Sequence, residues 1–347
     1  MEPSAYIPAY LERCYLSSHP DLTEAARSLL HDEVSRHPGT YAATEHAKVL
    51  VAYGDLHAEL MRRLNCMENL SDEEFERECD RLFRETRLKM YDLARADRLC
   101  VDARLLDILL SEASIDACLN DLLKLEGDVR SHLERSVSGF DIDAPGFWRE
   151  DALPDAAAVG IQAARAAATA SNPEVVGWLH TVEAISQEAL ASARYRAAMR
   201  YARLAMRAEG YPNRAYGTLL LALARLEDED GFFAAAREAG TDAEDSPWFL
   251  LGRTLLLYKL GRRRNARRAL RDFAGRCEGG AFFLLNPTYH APYLPVRPEP
   301  SEAWDLTHQA VWEADGIIVD TPDFPAWVAS VEGIEDLSEE FARRYGF

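Results

Sequence analysis

"SPWFLLGRTLLLYKLGRRRNARRALRDFA", residues 246–274, is the stretch on which the fold turns. Ser246 ahead of Pro247 puts a capping side chain just before a proline at the first helical position, a strong helix start. Gly261 closes that helix, and the next one carries Arg262, Arg263, Arg264, Arg267, Arg268 and Arg271. Trp248, Leu251 and Gly252 fall in the first helix, Ala266 and Leu270 in the second. Such a division has a packing reason. A large aromatic fills the space between neighbouring hairpins, a small residue lets two helices approach, and one hairpin cannot bury its apolar face alone.

Working outward, the pattern recurs. Trp178, Tyr216 and Trp248 each open a predicted helix, and Ala198, Ala234 and Ala266 lie in the helix that follows each. The alanines are 36 and 32 residues apart, averaging the period of about 34 that marks tetratricopeptide (TPR) arrays. Residues 175–277 therefore resemble the TPR-like family, the third copy most closely through its W-x-x-L-G opening. The aromatic-to-alanine steps are 20, 18 and 18 residues. They exceed the family's usual step and predict longer first helices.

A second resemblance lies toward the C-terminus. "LLNPTYHAPYL" (284–294) is followed by "SEAWDLTHQAVWEADG" and "DTPDFPAWV". Asn286, Pro287, Pro292, Tyr293, Leu294, Glu302, Ala303, Trp304, Thr321, Pro322 and Trp327 are the matching positions. The order resembles the tail of the suppressor-of-tumorigenicity TPR-like family and of uncharacterised bacterial relatives. That likeness implies a solenoid cap and no catalytic role. Physically, Asn286-Pro287 stops the preceding segment, the proline-rich "PYLPVRPEP" runs extended, and Ser301 is placed to cap the next helix.

Helical signals dominate elsewhere as well. Residues 41–65 set Ala47, Leu50, Gly54, Ala58, Met61 and Leu64 at three-to-four spacing, and residues 72–94 do so with Phe75, Cys79, Leu82, Thr86, Met90 and Leu93. Asp21 with Glu24, and Ser71 with Glu74, fit capping boxes. Asn172-Pro173 marks another start, and "RHPGT" (36–40) a break. "SGFDIDAPGFWREDALPDAA" (138–157) reads as a crossover loop, its Phe140, Phe147 and Trp148 favouring packing over a free tether. An alanine-rich helix ending near Ser171 follows it. The predicted fold is an all-α, right-handed α-solenoid of antiparallel helix pairs. Its parts are an N-terminal helical-hairpin region (1–137), a crossover (138–154), TPR-like repeats (155–277) and a C-terminal cap (278–347).

The chain of 347 residues has 48% hydrophobic and 28% charged residues and a net charge of -19, an ordinary globular balance. No apolar run is long enough for a membrane span, and "MEPSAYIPAY" lacks the marks of a secretory signal. Cys14, Cys66, Cys79, Cys100, Cys118 and Cys277 are scattered without a CxxC pair, as reduced core thiols would be. The expectation is a cytoplasmic protein.

Positive charge is confined to the repeats: residues 194–277 sum to +7 and the rest of the chain to -26. Arg196, Arg200, Arg203 and Arg207 fall on one narrow face of a helix predicted over 191–209, and Arg263, Arg267 and Arg271 repeat the one-turn step, with Arg264 and Arg268 alongside. Such faces are either solvated, paired with acids of the chain itself, or a site for an acidic partner, because guanidinium binds carboxylate in a two-pronged geometry.

Chemistry is harder to place. Five of nine histidines (His19, His31, His37, His46, His57) lie in the first 57 residues. His46 and His57 share a helix face but stand about 16 Å apart along the axis. There is no H-E-x-x-H or E-x-x-H; Asp305 with His308 stands alone. Phosphate-binding glycine loops and a G-x-S-x-G elbow are missing too, and "GIIVD" (316–320) is too little to make a sheet. The expected activity is non-catalytic: a cofactor-free scaffold or adaptor whose helical-repeat groove takes a protein or peptide partner, acidic if the arginine faces are used. A binder of nucleic acid or another polyanion is the second reading, disfavoured by the overall charge. A metal enzyme built on the N-terminal histidines is the third, disfavoured by their spacing.

Overall fold

The structure is a computed structural model and describes residues 2–67, 70–137, 140, 142, 172–209, 214–287 and 302–347. Among these every element is helical. The crossover beyond Phe140 and Ile142, the alanine-rich helix before Ser171, and Pro292, Tyr293, Leu294 and Ser301 lie outside the described residues. The chain divides into two compact units, Met1–Val182 and Glu183–Leu294 with Glu299–Phe347.

The first unit contains α1 (Pro3–Ser18), α2 (Glu24–Arg36), α3 (Pro38–Tyr41), α4 (Glu45–Asn65), α5 (Asp72–Ala96), α6 (Val101–Leu109) and α7 (Ile115–Ser136). α1 packs on α4, α4 on α5, α5 on α6 and α6 on α7. Local chemistry explains most of the boundaries. Ser71 and Glu74 form the expected capping box of α5. At α2 the cap is Thr23, accepting from the Ala26 amide, and not Asp21 as the sequence pattern predicts. Thr44 caps α4 in the same way, which delays that helix to Glu45. The predicted stripes hold at Ala47, Leu50, Leu64, Cys79, Leu82, Thr86 and Met90, all buried, while Ala58 faces solvent.

α8 (Pro173–Ala191) spans the division between the units. The Asn172 side chain accepts from the Glu174 amide at its start. At 19 residues α8 is the long first helix that the aromatic-to-alanine steps predict. The other first helices, α10 (Arg214–Arg225) and α12 (Pro247–Lys259), have only 12 and 13 residues.

The second unit begins with α9 (Tyr195–Glu209), followed by α10, α11 (Glu229–Ala239), a 3-10 turn (Thr241–Asp245), α12 and α13 (Arg263–Arg276). α10 packs on α9, α11 and α12, and α12 on α13. Ser246 accepts from the Phe249 amide to start α12, and Gly261, at φ 72°, takes the left-handed turn after it that a side chain would strain. Phe232 of α11 stacks on Phe249 of α12, with ring centroids 5.5 Å apart. Gly252 is buried where this ring comes closest; a Cβ there would stand 3.0 Å from it.

Residues 280–345 supply α14 (Gly280–Leu285), α15 (Asp305–Glu313), α16 (Asp315–Val319), α17 (Asp323–Ala329) and α18 (Ile334–Tyr345). α15 packs on α12, and Glu313 accepts from Trp248 Nε1 at 2.7 Å. Asp320 accepts from Arg225 (3.1 Å) and Tyr195 (3.3 Å). Phe324 and Trp327 close on Tyr258, with ring centroids 5.0 and 4.7 Å away. Residues 215–224 are buried without exception. A helix buried on all sides needs cover on all sides, and the C-terminal helices supply it for α12.

Candidate functional site

Two constellations carry charge in an unusual setting. The first is the arginine surface of the second unit. Arg196, Arg200, Arg203 and Arg207 on α9, and Arg263, Arg264, Arg267, Arg268 and Arg271 on α13, are all exposed. Arg263 lies over the Tyr258 ring, 3.6 Å from its centroid, and Arg271 faces Glu332 at 3.7 Å. Among the described residues no carboxylate comes within 4 Å of Arg196, Arg200, Arg203, Arg264, Arg267 or Arg268.

For Arg263 and Arg264 the position on the helix is costly. α13 has no acid in its first turn, Arg262 is its N-cap, and no side chain caps its amides. Cations repel the positive end of a helix dipole and are favoured at the opposite end. Arg263 and Arg264 therefore stand where fold stability would place Asp or Glu.

The small residues of the predicted repeats lie on α9, α11 and α13. Ala198 and Ala266 are fully buried, as their packing role requires. In α11 the buried small residues are Ala235 and Ala236, and Ala234 is only half-buried. Tyr216 is buried, and Trp248 is half-buried at the start of α12.

The second constellation lies in the first unit and escaped sequence reasoning. Asp102 of α6 is 3% exposed and accepts from Tyr6 Oη at 2.6 Å and from His180 Nδ1 at 2.8 Å. Glu126 of α7 is 4% exposed and accepts from Trp178 Nε1 at 3.1 Å, with Arg130 at 3.3 Å. The α8 backbone comes close here, since a Cβ on Gly177 would stand 2.6 Å from Val101. Nearer the start of α8, Glu174 meets His132 at 2.8 Å. One turn of α8 thus supplies donors to two buried carboxylates.

The ionisation of the cluster follows from these contacts. Burial pushes the Asp102 carboxyl up, but His180, by charge and hydrogen bond, and the Tyr6 hydroxyl outweigh it and hold the group below its ordinary value. Tyr6 and Tyr53 are raised well above theirs, first by burial and then by the Asp102 charge. The Cys100 thiol is pushed up to about 12, chiefly by burial. His57, half-buried on α4, is lowered by burial against the opposing pull of Glu2 and Asp102, and His180 lowers it further.

Both shifts make the protein less stable in acid. A neutral His57 in the fold costs nothing above the unfolded value near 6.5, and stability falls as pH drops below it, until the folded group also protonates. The depressed Asp102 contributes stability that is complete above the ordinary carboxylate value and disappears as pH falls through its folded value. The urea midpoint is expected to be lower at about pH 5.5 than at about pH 7.5, and the difference should shrink in His57→Gln. An equal drop in that variant would show that His57 is not responsible.

The five N-terminal histidines do not converge. His19 stacks on Tyr15, 4.1 Å between centroids, and His31 meets Glu12 at 2.9 Å. His46 pairs with Asp97 and packs edge-on against Tyr10, while His37 is the exposed C-cap of α2. Among the described residues no group of three or more His, Cys, Asp or Glu is placed to hold a metal ion, and no helix is long and apolar enough to cross a membrane. Comparison with family models, characterised proteins and solved structures finds no match. The TPR likeness thus rests on this chain's own residues.

Proposed function

We propose that this chain is a non-catalytic, TPR-like binding protein that holds acidic segments of a protein partner on the outward arginine faces of α9 and α13. Helices α9 to α13, residues 195–276, form the helix-pair array of that proposal. The succession of contacts from α9 through α10 and α12 to α13, with Phe232 of α11 set between Phe249 and Gly252, supports it. A partner segment has little of α10 or α12 to meet, because their side chains are already buried. The second helices are where charge is left over.

One observation carries the proposal: among the described residues the exposed Arg196, Arg200, Arg203, Arg264, Arg267 and Arg268 have no carboxylate within 4 Å, and Arg264 stands in the first turn of α13, the end of the helix that disfavours it. Residues that work against local stability are most simply explained by a role outside the fold. Arginine suits carboxylates because its planar fork donates two parallel hydrogen bonds.

A fluorescein-labelled oligoglutamate peptide, followed by anisotropy, tests this. Arg200→Glu with Arg267→Glu should weaken binding about tenfold or more, the loss of two charge-assisted contacts, and should not lower the urea midpoint. Unchanged affinity would remove the arginines from the proposal. A single-stranded oligonucleotide that competes as well as the peptide would overturn the choice of an acidic protein segment in favour of polyanions in general.

A further inference from the structure

α13 has an electrostatic counterpart in the same unit. On α18, Glu335 and Glu339 form one row and Asp336 and Glu340 another, each pair one turn apart and exposed. Among the described residues only Glu340 of these four holds a cation, Arg344 at 3.1 Å. On α13 the rows are Arg263, Arg267 and Arg271, with Arg264 and Arg268 beside them. Both helices repeat their charges at a rise of about 6 Å, so an arginine row and an acidic row laid side by side stay in register.

The two surfaces are also contiguous. α13 packs against α18, and Arg271 at the end of the arginine row faces Glu332 just ahead of α18. Both side chains of that pair are exposed, at 54% and 95%. A basic helix beside an acidic one on a single surface is what a two-fold interface uses, because the contact between the two charge rows is then made twice.

Resting on the reading of the arginine faces as acidic-segment sites, we propose that one acidic partner is a second copy of this chain, the α18 acids of each copy docking on the α13 arginines of the other. The contact is polar and exposed, so it is weak and salt-labile. Two chains of net charge -19 otherwise repel. Association at low salt therefore requires local complementarity.

Sedimentation velocity of the full chain at about 50 mM and about 500 mM NaCl reads this directly. The expected result is a dimer at low salt, with an association constant about tenfold or more weaker at high salt. Arg267→Glu with Arg268→Glu should be monomeric at low salt, as should Glu335→Arg with Glu339→Arg, because each now sets like charges opposite one another. Mixing the two variants should restore the dimer, since both contacts become complementary again. That rescue also separates lost docking from misfolding. A wild-type monomer at low salt, a dimer indifferent to these substitutions, or a mixture that stays monomeric would overturn the proposal. If the monomeric protein still binds oligoglutamate through Arg200 and Arg267, the acidic-partner reading stands and only the second copy is lost.

Discussion

Replacing Asp102 with alanine is expected to cost about 3–5 kcal/mol of unfolding free energy, the usual penalty for removing one member of a buried charged pair. The carboxylate is held between Tyr6 and His180. Deleting it leaves a hydroxyl and an imidazole N–H inside the protein without their acceptor, and that desolvation is not recovered. Asp102→Asn keeps the shape and one acceptor oxygen, so its cost should be smaller, about 1–3 kcal/mol. Asp102→Ala combined with His180→Ala should cost less than the two singles summed, because the second change removes the group that the first one strands. Urea unfolding of the three variants measures all of this. A loss below about 1 kcal/mol in Asp102→Ala, in the range of ordinary surface substitutions, would show that the cluster is relaxed or hydrated and does not hold the unit together.

Trp178→Ala is the second large effect. The indole is fully buried, meets the Phe140 ring edge-on at 5.5 Å and donates to Glu126. Truncation removes the largest side-chain volume available and also takes a donor from a buried carboxylate. The expected cost is about 3–5 kcal/mol. Trp178→Phe separates the two contributions: it keeps most of the volume and loses only the N–H, so about 1–3 kcal/mol should remain. Equal unfolding midpoints for Trp178→Phe and wild type would mean that Arg130, 3.3 Å from Glu126, satisfies that carboxylate by itself.

Much of the local architecture was readable in the residues. Ser71 with Glu74, Asn172 before Pro173, Ser246 before Pro247 and Gly261 each fixed a helix end through contacts within a few positions of themselves. Thr23 displaced Asp21 as a cap by the same local rule, applied two residues later. The buried acids were half-legible. Leu119, Leu122, Glu126, Val129 and Leu133 step by three and four along α7, so a glutamate occupies the apolar stripe and must find a donor. His180 sits in "VVGWLHTVEAI", a polar ring in an apolar run. Each signal says that a partner is needed without saying which, since the partners are 52 and 78 residues away in sequence.

The arginine faces were legible as faces, because a one-turn step in sequence is a row in space whatever surrounds the helix. Whether acids of the same chain neutralised them was not, since that depends on packing between distant helices. The same holds for Trp178, expected to wedge between repeats and found against α7.

By itself the sequence determined that this chain is helical, where most of its helices begin and end, and which faces are apolar or basic. Those properties come from hydrogen bonds and periodicities that close within one or two turns. Tertiary structure alone decided that one turn of α8 answers two buried carboxylates, that the C-terminal helices cover α12, and that an acidic helix lies beside the arginine row of α13. Such pairings join residues far apart along the chain, and only the folded backbone brings them within a hydrogen bond of one another.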